Sequence, residues 1–223
     1  MWKLIAVLSV GLASVCAEEL PAHEIMRTCL NDLIKDNHHF VSNHPQSHFA
    51  AFKDSQSPRA TLVLCSDSRV QDRAFSQSPE NDFFVIRNIG NQLGTSEGSV
   101  EYGVKVLKTP LLVFIGHSDC GAVKAAKEDY TKNPRRIKSE LVTIKVDNRE
   151  DVHQGVVSNV HYQVQEALDA FDEEIAQGKL VVVGAVYDFR NDYGQGKGKL
   201  IIVNINGEEH PDKIKESPLL AGE

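Results

Sequence analysis

Five stretches of the chain are predominantly apolar: residues 60–65, 83–86, 111–116, 180–186 and 200–205. Runs of this length, with few polar alternates, predict central strands of a largely parallel sheet buried on both faces. The segments between them repeat with a helical period. Residues 97–108 set Val100, Val104 and Leu107 on one face, and residues 152–177 carry Val156, Val160, Val164, Leu168, Phe171 and Ile175 at three- and four-residue steps. Before the first strand, residues 22–40 align Ile25, Cys29 and Leu33, with Met26 and Leu30 beside them. Alternation of strand and helix predicts an α/β fold, a mostly parallel β-sheet flanked by helices, with an N-terminal helical arm that packs on a core or on a second subunit. Residues 131–150 are charged and poorly periodic and read as a surface excursion; residues 191–199, with three glycines, read as the turn into the last strand.

The first seventeen residues follow a different pattern. Met1-Trp2-Lys3 gives a short positive start, residues 4–12 are uncharged and mostly apolar, and Ser14-Val15-Cys16-Ala17 offers a cut after Ala17. That layout predicts a secretory signal peptide over residues 1–17. A membrane span needs about twenty apolar residues, and Glu18-Glu19 arrives too soon. A lipoprotein signal with Cys16 as the lipidated residue is the rival reading, disfavoured by the bulky Val15. The expectation is export, to a bacterial periplasm, of a single domain over residues 18–223. No repeat or Pro/Ser-rich linker divides it.

Composition adds three exclusions. A hydrophobic content of 41% over 223 residues supports a sizeable core and excludes low-complexity disorder. A net charge of −7 argues against a general nucleic-acid binder. Four cysteines are too few for a disulfide scaffold. With Cys16 removed, Cys29, Cys65 and Cys120 remain, an odd set that cannot all pair within one chain. At least one is free, paired between chains or bound to something.

Two clusters of chemistry follow strands. Cys65-Ser66-Asp67-Ser68-Arg69 comes directly after the first, and Gly116-His117-Ser118-Asp119-Cys120-Gly121 after the third. Ligand sites of open α/β sheets gather beyond the carboxyl ends of strands. Adjacent parallel strands would join Cys65, His117 and Cys120 into a two-sulfur, one-nitrogen set. Three such ligands leave one tetrahedral position of a zinc ion open, as in catalytic sites. A Cys65–Cys120 disulfide and a Cys–His nucleophilic pair compete with this reading, the latter lacking a third group to orient the histidine. A cysteine-phosphatase loop is excluded, because three residues rather than five separate Cys65 from Arg69.

The joint pattern Cys-x-Asp-x-Arg and His-x-x-Cys-Gly resembles the two signature motifs of the β-class carbonic anhydrases. The similarity extends through Arg87-Asn88-Ile89-Gly90-Asn91, Glu101-Tyr102, Asn159-Val160 and Gly184-Ala185-Val186-Tyr187-Asp188. The resemblance implies Cys65, His117 and Cys120 as ligands of one zinc per subunit. It also implies a homodimer or higher homo-oligomer with active sites at the subunit interface. Zinc-bound hydroxide would attack carbon dioxide to give bicarbonate; the figure of about 7 for the pKa of zinc-bound water comes from three-histidine carbonic anhydrases. Two thiolates donate more charge than histidines, so surrounding groups must compensate. Asp67 and Arg69 are the catalytic candidates: a bidentate arginine would hold Asp67 off the metal and ionised, free to accept a hydrogen bond from the nucleophile. Gln56, Phe84, Ile89 and Tyr102 match positions lining the carbon dioxide pocket of plant-like members, and the Gly121 N–H matches a substrate contact. The plant-like pocket predicts an open, water-accessible zinc at neutral pH.

The nine histidines single out no proton relay. His38, His39, His44, His48, His153 and His161 read as solvated surface groups, His210 draws no role, and Cys29 reads as a small buried group on the arm. The sequence therefore predicts an exported zinc lyase that hydrates carbon dioxide reversibly. Hydrolysis of a related small electrophile such as carbon disulfide, and non-catalytic zinc or redox sensing, are the alternatives.

Overall fold

Each of the five apolar runs forms a strand, and the strands join one sheet in the order β2-β1-β3-β4-β5. β1 (Ala60–Cys65), β2 (Phe83–Asn88), β3 (Leu111–His117) and β4 (Val181–Asp188) are parallel, while β5 (Lys199–Ile205) runs antiparallel beside β4. This architecture comes from a computed structural model that describes residues 21–220. The expected signal peptide, residues 1–17, lies outside the described residues. The chain divides into two units, one ending at Asp54 and one beginning at Ser55.

In the second unit every residue of β1 is buried, as an apolar run covered on both faces requires. On one face Val63, Leu112, Phe114 and Val182 pack with Val164 and Ala167 of the helix α6 (Val152–Ala170). On the other, Leu62, Leu64, Val113, Ile115 and Ala185 form a second apolar layer. A third cluster, containing Cys65, Cys120, Leu141, Ile144, Val156 and Val186, closes the carboxyl end of the sheet.

Local chemistry explains where helices depart from their expected spans. α6 starts at a reciprocal cap: Asp151 accepts the Gln154 backbone N–H at 2.8 Å, and the Gln154 side chain accepts from the Asp151 N–H at 3.1 Å. It stops at the buried Phe171, where φ is −126°, and a short helix follows over Asp172–Ala176. The apolar spacing runs through this break, which is why periodicity alone predicts one helix. Residues 97–108 form a short α-helix, Glu97–Glu101, that widens into a π-helical turn over Tyr102–Val106. There the backbone lies against β1, since a Cβ on Gly103 would stand 2.2 Å from Thr61 Oγ1.

Residues 131–150 are more than a surface excursion. They contain the helix Arg135–Leu141, and Leu141 and Ile144 are buried in the cluster that holds Cys65 and Cys120. Two buried apolar residues among many charges suffice to anchor one edge of the segment.

The first unit contains α1 (Ala22–Asn43) and α2 (Gln46–Ala50). No residue of α1 is buried, and Met26, Leu30 and Leu33 are 69%, 57% and 68% exposed. Cys29, expected to be buried, is exposed with them, because no described residue covers that face. Phe40, His44 and His48 stack in sequence, with ring centroids 4.0 and 4.5 Å apart. His44 and His48 are thus half-buried rather than solvated, as are His153, against the Tyr193 ring, and His161, against Asn204. Among the described residues, no helix is long and apolar enough to cross a membrane.

Candidate metal centre

Parallel pairing of β1 with β3 sets the ends of these strands side by side. Cys65 is the last residue of β1 and His117 the last of β3. The chain then turns back through Asp119, whose φ of +58° is a left-handed value that aspartate tolerates better than most residues, and Cys120 returns ahead of α4 (Gly121–Lys127). One ligand atom from each of Cys65, His117 and Cys120 lies within 4.8 Å of the other two. All three residues are buried, and neither cysteine is in a disulfide.

The hydrogen bonds of His117 define which nitrogen is free. Nδ1 is 3.0 Å from the Ser118 carbonyl oxygen. A carbonyl only accepts, so Nδ1 carries the proton and Nε2 presents its lone pair. Nε2 is buried without a hydrogen-bond partner. Burying such an atom unpaired is costly, and a metal ion would satisfy it. The thiols show the same demand. Cys65 is held below the usual cysteine range, chiefly by hydrogen bonding from Cys120, while Cys120 is pushed up by that bond and by burial. A divalent cation between the two sulfurs would allow both to ionise. Two thiolates and one imidazole, with no fourth residue in the cluster among the described residues, fit zinc with an open position.

Asp67 stands outside this cluster. Arg69 grips it through Nε to Oδ1 at 2.9 Å and Nη2 to Oδ2 at 2.7 Å, and the Arg69 backbone N–H adds a bond of 3.0 Å. These bonds, the Arg69 side chain foremost, hold the Asp67 carboxyl well below the usual carboxylate range despite partial burial. Asp67 Oδ2 lies 3.9 Å from His117 Nε2, at the edge of the cluster.

Supporting residues fix these groups. Arg87 donates to the carbonyl oxygens of Cys65, Asp67 and Val70, tying down the loop that carries the first motif. Asn159 of α6 donates to Gly90, whose own N–H points at Cys65 Sγ. Asp188 accepts from Ser118 Oγ and from three successive N–H groups, those of Asn191, Asp192 and Tyr193. The Phe189 ring stacks on His117, with centroids 5.9 Å apart, and the Arg69 guanidinium lies 5.0 Å from its centroid. Sequence reasoning gave no role to Phe189 or Asp188. A carboxylate ending an apolar strand, next to a second aromatic, was the available signal.

The five expected pocket residues fall in different places. Ile89 packs against the cluster that contains both cysteines, and Gly121 opens α4 directly after Cys120. Gln56 is exposed in the loop before β1. Phe84 and Tyr102 stack on each other at 5.7 Å. Phe84 pairs with Thr61, four residues before Cys65 along β1, or about 13 Å at the rise of a strand. A single chain therefore does not bring Phe84 and Tyr102 to the metal cluster.

Comparison with known proteins agrees with this geometry. A sequence profile described as carbonic anhydrase matches residues 60–196. A protein named carbonic anhydrase 2 from Mycobacterium tuberculosis is 32% identical over 197 residues, covering 79% of this chain and 94% of its own. The β-carbonic anhydrase CcaA superposes with a TM-score of 0.67 at 22% identity, covering 81% of this chain and 88% of its own. One of two tetrameric β-carbonic anhydrases from Sordaria macrospora gives 0.64 at 22% identity, covering 82% and 98%. The chain belongs to the carbonic anhydrase family, and its fold is that of the β-carbonic anhydrases. It is, by that membership, a carbonic anhydrase and a lyase.

Proposed function

We propose that this enzyme hydrates carbon dioxide reversibly at one zinc ion per subunit, held by Cys65, His117 and Cys120. The observation that carries the assignment is the buried, unpartnered Nε2 of His117 within 4.8 Å of two cysteine sulfurs. When bound, zinc would supply the Lewis acidity that makes water nucleophilic near neutral pH. Asp67, ionised and held by Arg69, accepts a hydrogen bond from the attacking water and aims its lone pair at the carbon. As oxygen adds to carbon, one O–H bond breaks; bicarbonate and a proton leave. Apolar neighbours, the partly buried Ile89 among them, keep bulk water out.

Gln56, Phe84 and Tyr102 complete the carbon dioxide pocket across a subunit interface, with the Gly121 N–H on the substrate oxygen. Support for a shared pocket comes from the 13 Å offset, about four residues of strand, between Phe84 and Cys65, and from the exposed apolar face of α1. A homo-oligomer is the form this implies, and a relative of the same fold is described as tetrameric. The N-terminal charge and apolar pattern supports export to a periplasm.

Zinc analysis combined with stopped-flow carbon dioxide hydration tests the assignment. The expected result is one zinc per chain and loss of both metal and hydration in Cys65→Ala. Hydration retained without zinc would overturn it.

A further inference from the structure

Asp119, in the turn between His117 and Cys120, faces three cations. Its Oδ1 is 2.5 Å from Lys124 Nζ and 2.9 Å from Arg190 Nη1, while its Oδ2 is 3.7 Å from Arg69 Nη1. The last distance is too long for a hydrogen bond. Arg69 touches Asp119 only through the main chain, where Nη2 donates to the Asp119 carbonyl oxygen at 3.1 Å. Among the described residues, the other carboxylate near Arg190 is Asp192, with an oxygen 3.6 Å from Nε.

A guanidinium has two edges that fit a carboxylate. Asp67 occupies the Nε–Nη2 edge of Arg69, and the Nη1–Nη2 edge points towards Asp119. The left-handed turn fixes the Asp119 backbone beside that second edge. Its Oδ2, 3.7 Å from Nη1, stops short of a fork-to-fork pair with Arg69. Such a pair would pull the guanidinium towards Asp119 and lengthen its bonds to Asp67, the residue whose orientation the proposed reaction needs.

We propose that Lys124 and Arg190 are positioning residues that occupy the Asp119 carboxylate and so reserve Arg69 for Asp67. The inference rests on the roles given above to Asp67 and Arg69. Phe189 assists by lying along the guanidinium and keeping its plane fixed. Ion pairs as exposed as these shift an equilibrium by about fivefold at most. A two-sided hold is therefore needed, and two cations share one oxygen.

The test compares the protein as isolated with K124Q/R190Q and with K124Q/R190Q/D119N, asparagine being tolerated at the left-handed turn. The Arg69 Nε–Hε cross-peak in 15N NMR reads the Asp67 pairing directly. It is expected to move towards the free-arginine position in the double variant and to return in the triple. The hydration kcat is expected to fall about fivefold and recover in step, with KM unchanged. An unmoved cross-peak in the double variant, or a shift that removing the Asp119 charge leaves in place, would overturn the proposal. A cross-peak that moves and returns in a protein with no hydration activity upholds the clamp and removes the carbon dioxide reading instead.

Discussion

Asp67 and Arg69 meet edge to edge through two parallel hydrogen bonds of 2.9 and 2.7 Å, although only one residue separates them in the chain. The pairing depresses the carboxyl pKa in the folded state. Its stabilising contribution is therefore fully present above the ordinary carboxylate value of about 3.9 and is lost as pH falls below it. Through the neutral range the pair stays ionised and its geometry is constant.

Arg69→Lys keeps the charge but replaces a planar fork by a point donor. Hydration should fall by about 10- to 100-fold, the range found when groups supporting a metal site are removed. Zinc content should be unchanged. The melting temperature of the variant should lie below that of the parent at pH 7 and converge with it below about pH 3.9. Full activity across neutral pH would show that the fork is dispensable.

Removing zinc should cost stability as well as activity. Without metal, His117 Nε2 is left unpaired in the core beside two buried sulfurs. Metal bound at a thousandfold excess over its dissociation constant adds about 4 kcal/mol. Chelation by dipicolinate should thus lower the melting temperature by several degrees, and equimolar zinc should restore it. An identical melting curve with and without zinc would argue against metal at this cluster.

The same residues show what the sequence made legible. All five strands follow from apolar runs, a local signal, and the juxtaposition of Cys65 with His117 follows once adjacent strands are taken to run parallel. The break at Phe171 and the π-helical turn at Tyr102 do not, because each answers to a partner far along the chain. Leu141 and Ile144 were hidden among charges, and α1 showed an amphipathic face without showing what covers it. The cluster of Cys65, His117 and Cys120 could be read because each of its two motifs is contiguous. Phe189 and Asp188 were obscured because their roles arise only where the end of β4 meets the end of β3.

Asp188 supports that junction. It is buried and accepts four hydrogen bonds, including the Ser118 hydroxyl beside His117. In Asp188→Asn, one carboxylate oxygen becomes an amide donor facing N–H groups. The loss should be about 2 kcal/mol, read as a lower urea midpoint with an unchanged slope. Zinc affinity should weaken as well, since Ser118 supplies the acceptor for His117 Nδ1. A midpoint within error of the parent would mean that the loop 188–193 holds its shape without the carboxylate.

Gly116 sets how closely α6 approaches the strand that carries His117. A Cβ there would stand 2.8 Å from Val156 Cγ1 and 2.8 Å from Val160 Cγ2, so Gly116→Ala must push the helix outward. Overpacking of this kind costs about 1–3 kcal/mol. The displacement also reaches the site, because Asn159 lies on the same helix and anchors Gly90 beside Cys65. Pairing the substitution with Val156→Ala should recover part of the loss. A double-mutant cycle on urea unfolding is expected to give a coupling of about 1 kcal/mol, well above the few tenths expected for independent sites. Strict additivity would mean that the strand end tolerates the extra methyl without moving α6, and that helix and metal site are not mechanically joined there.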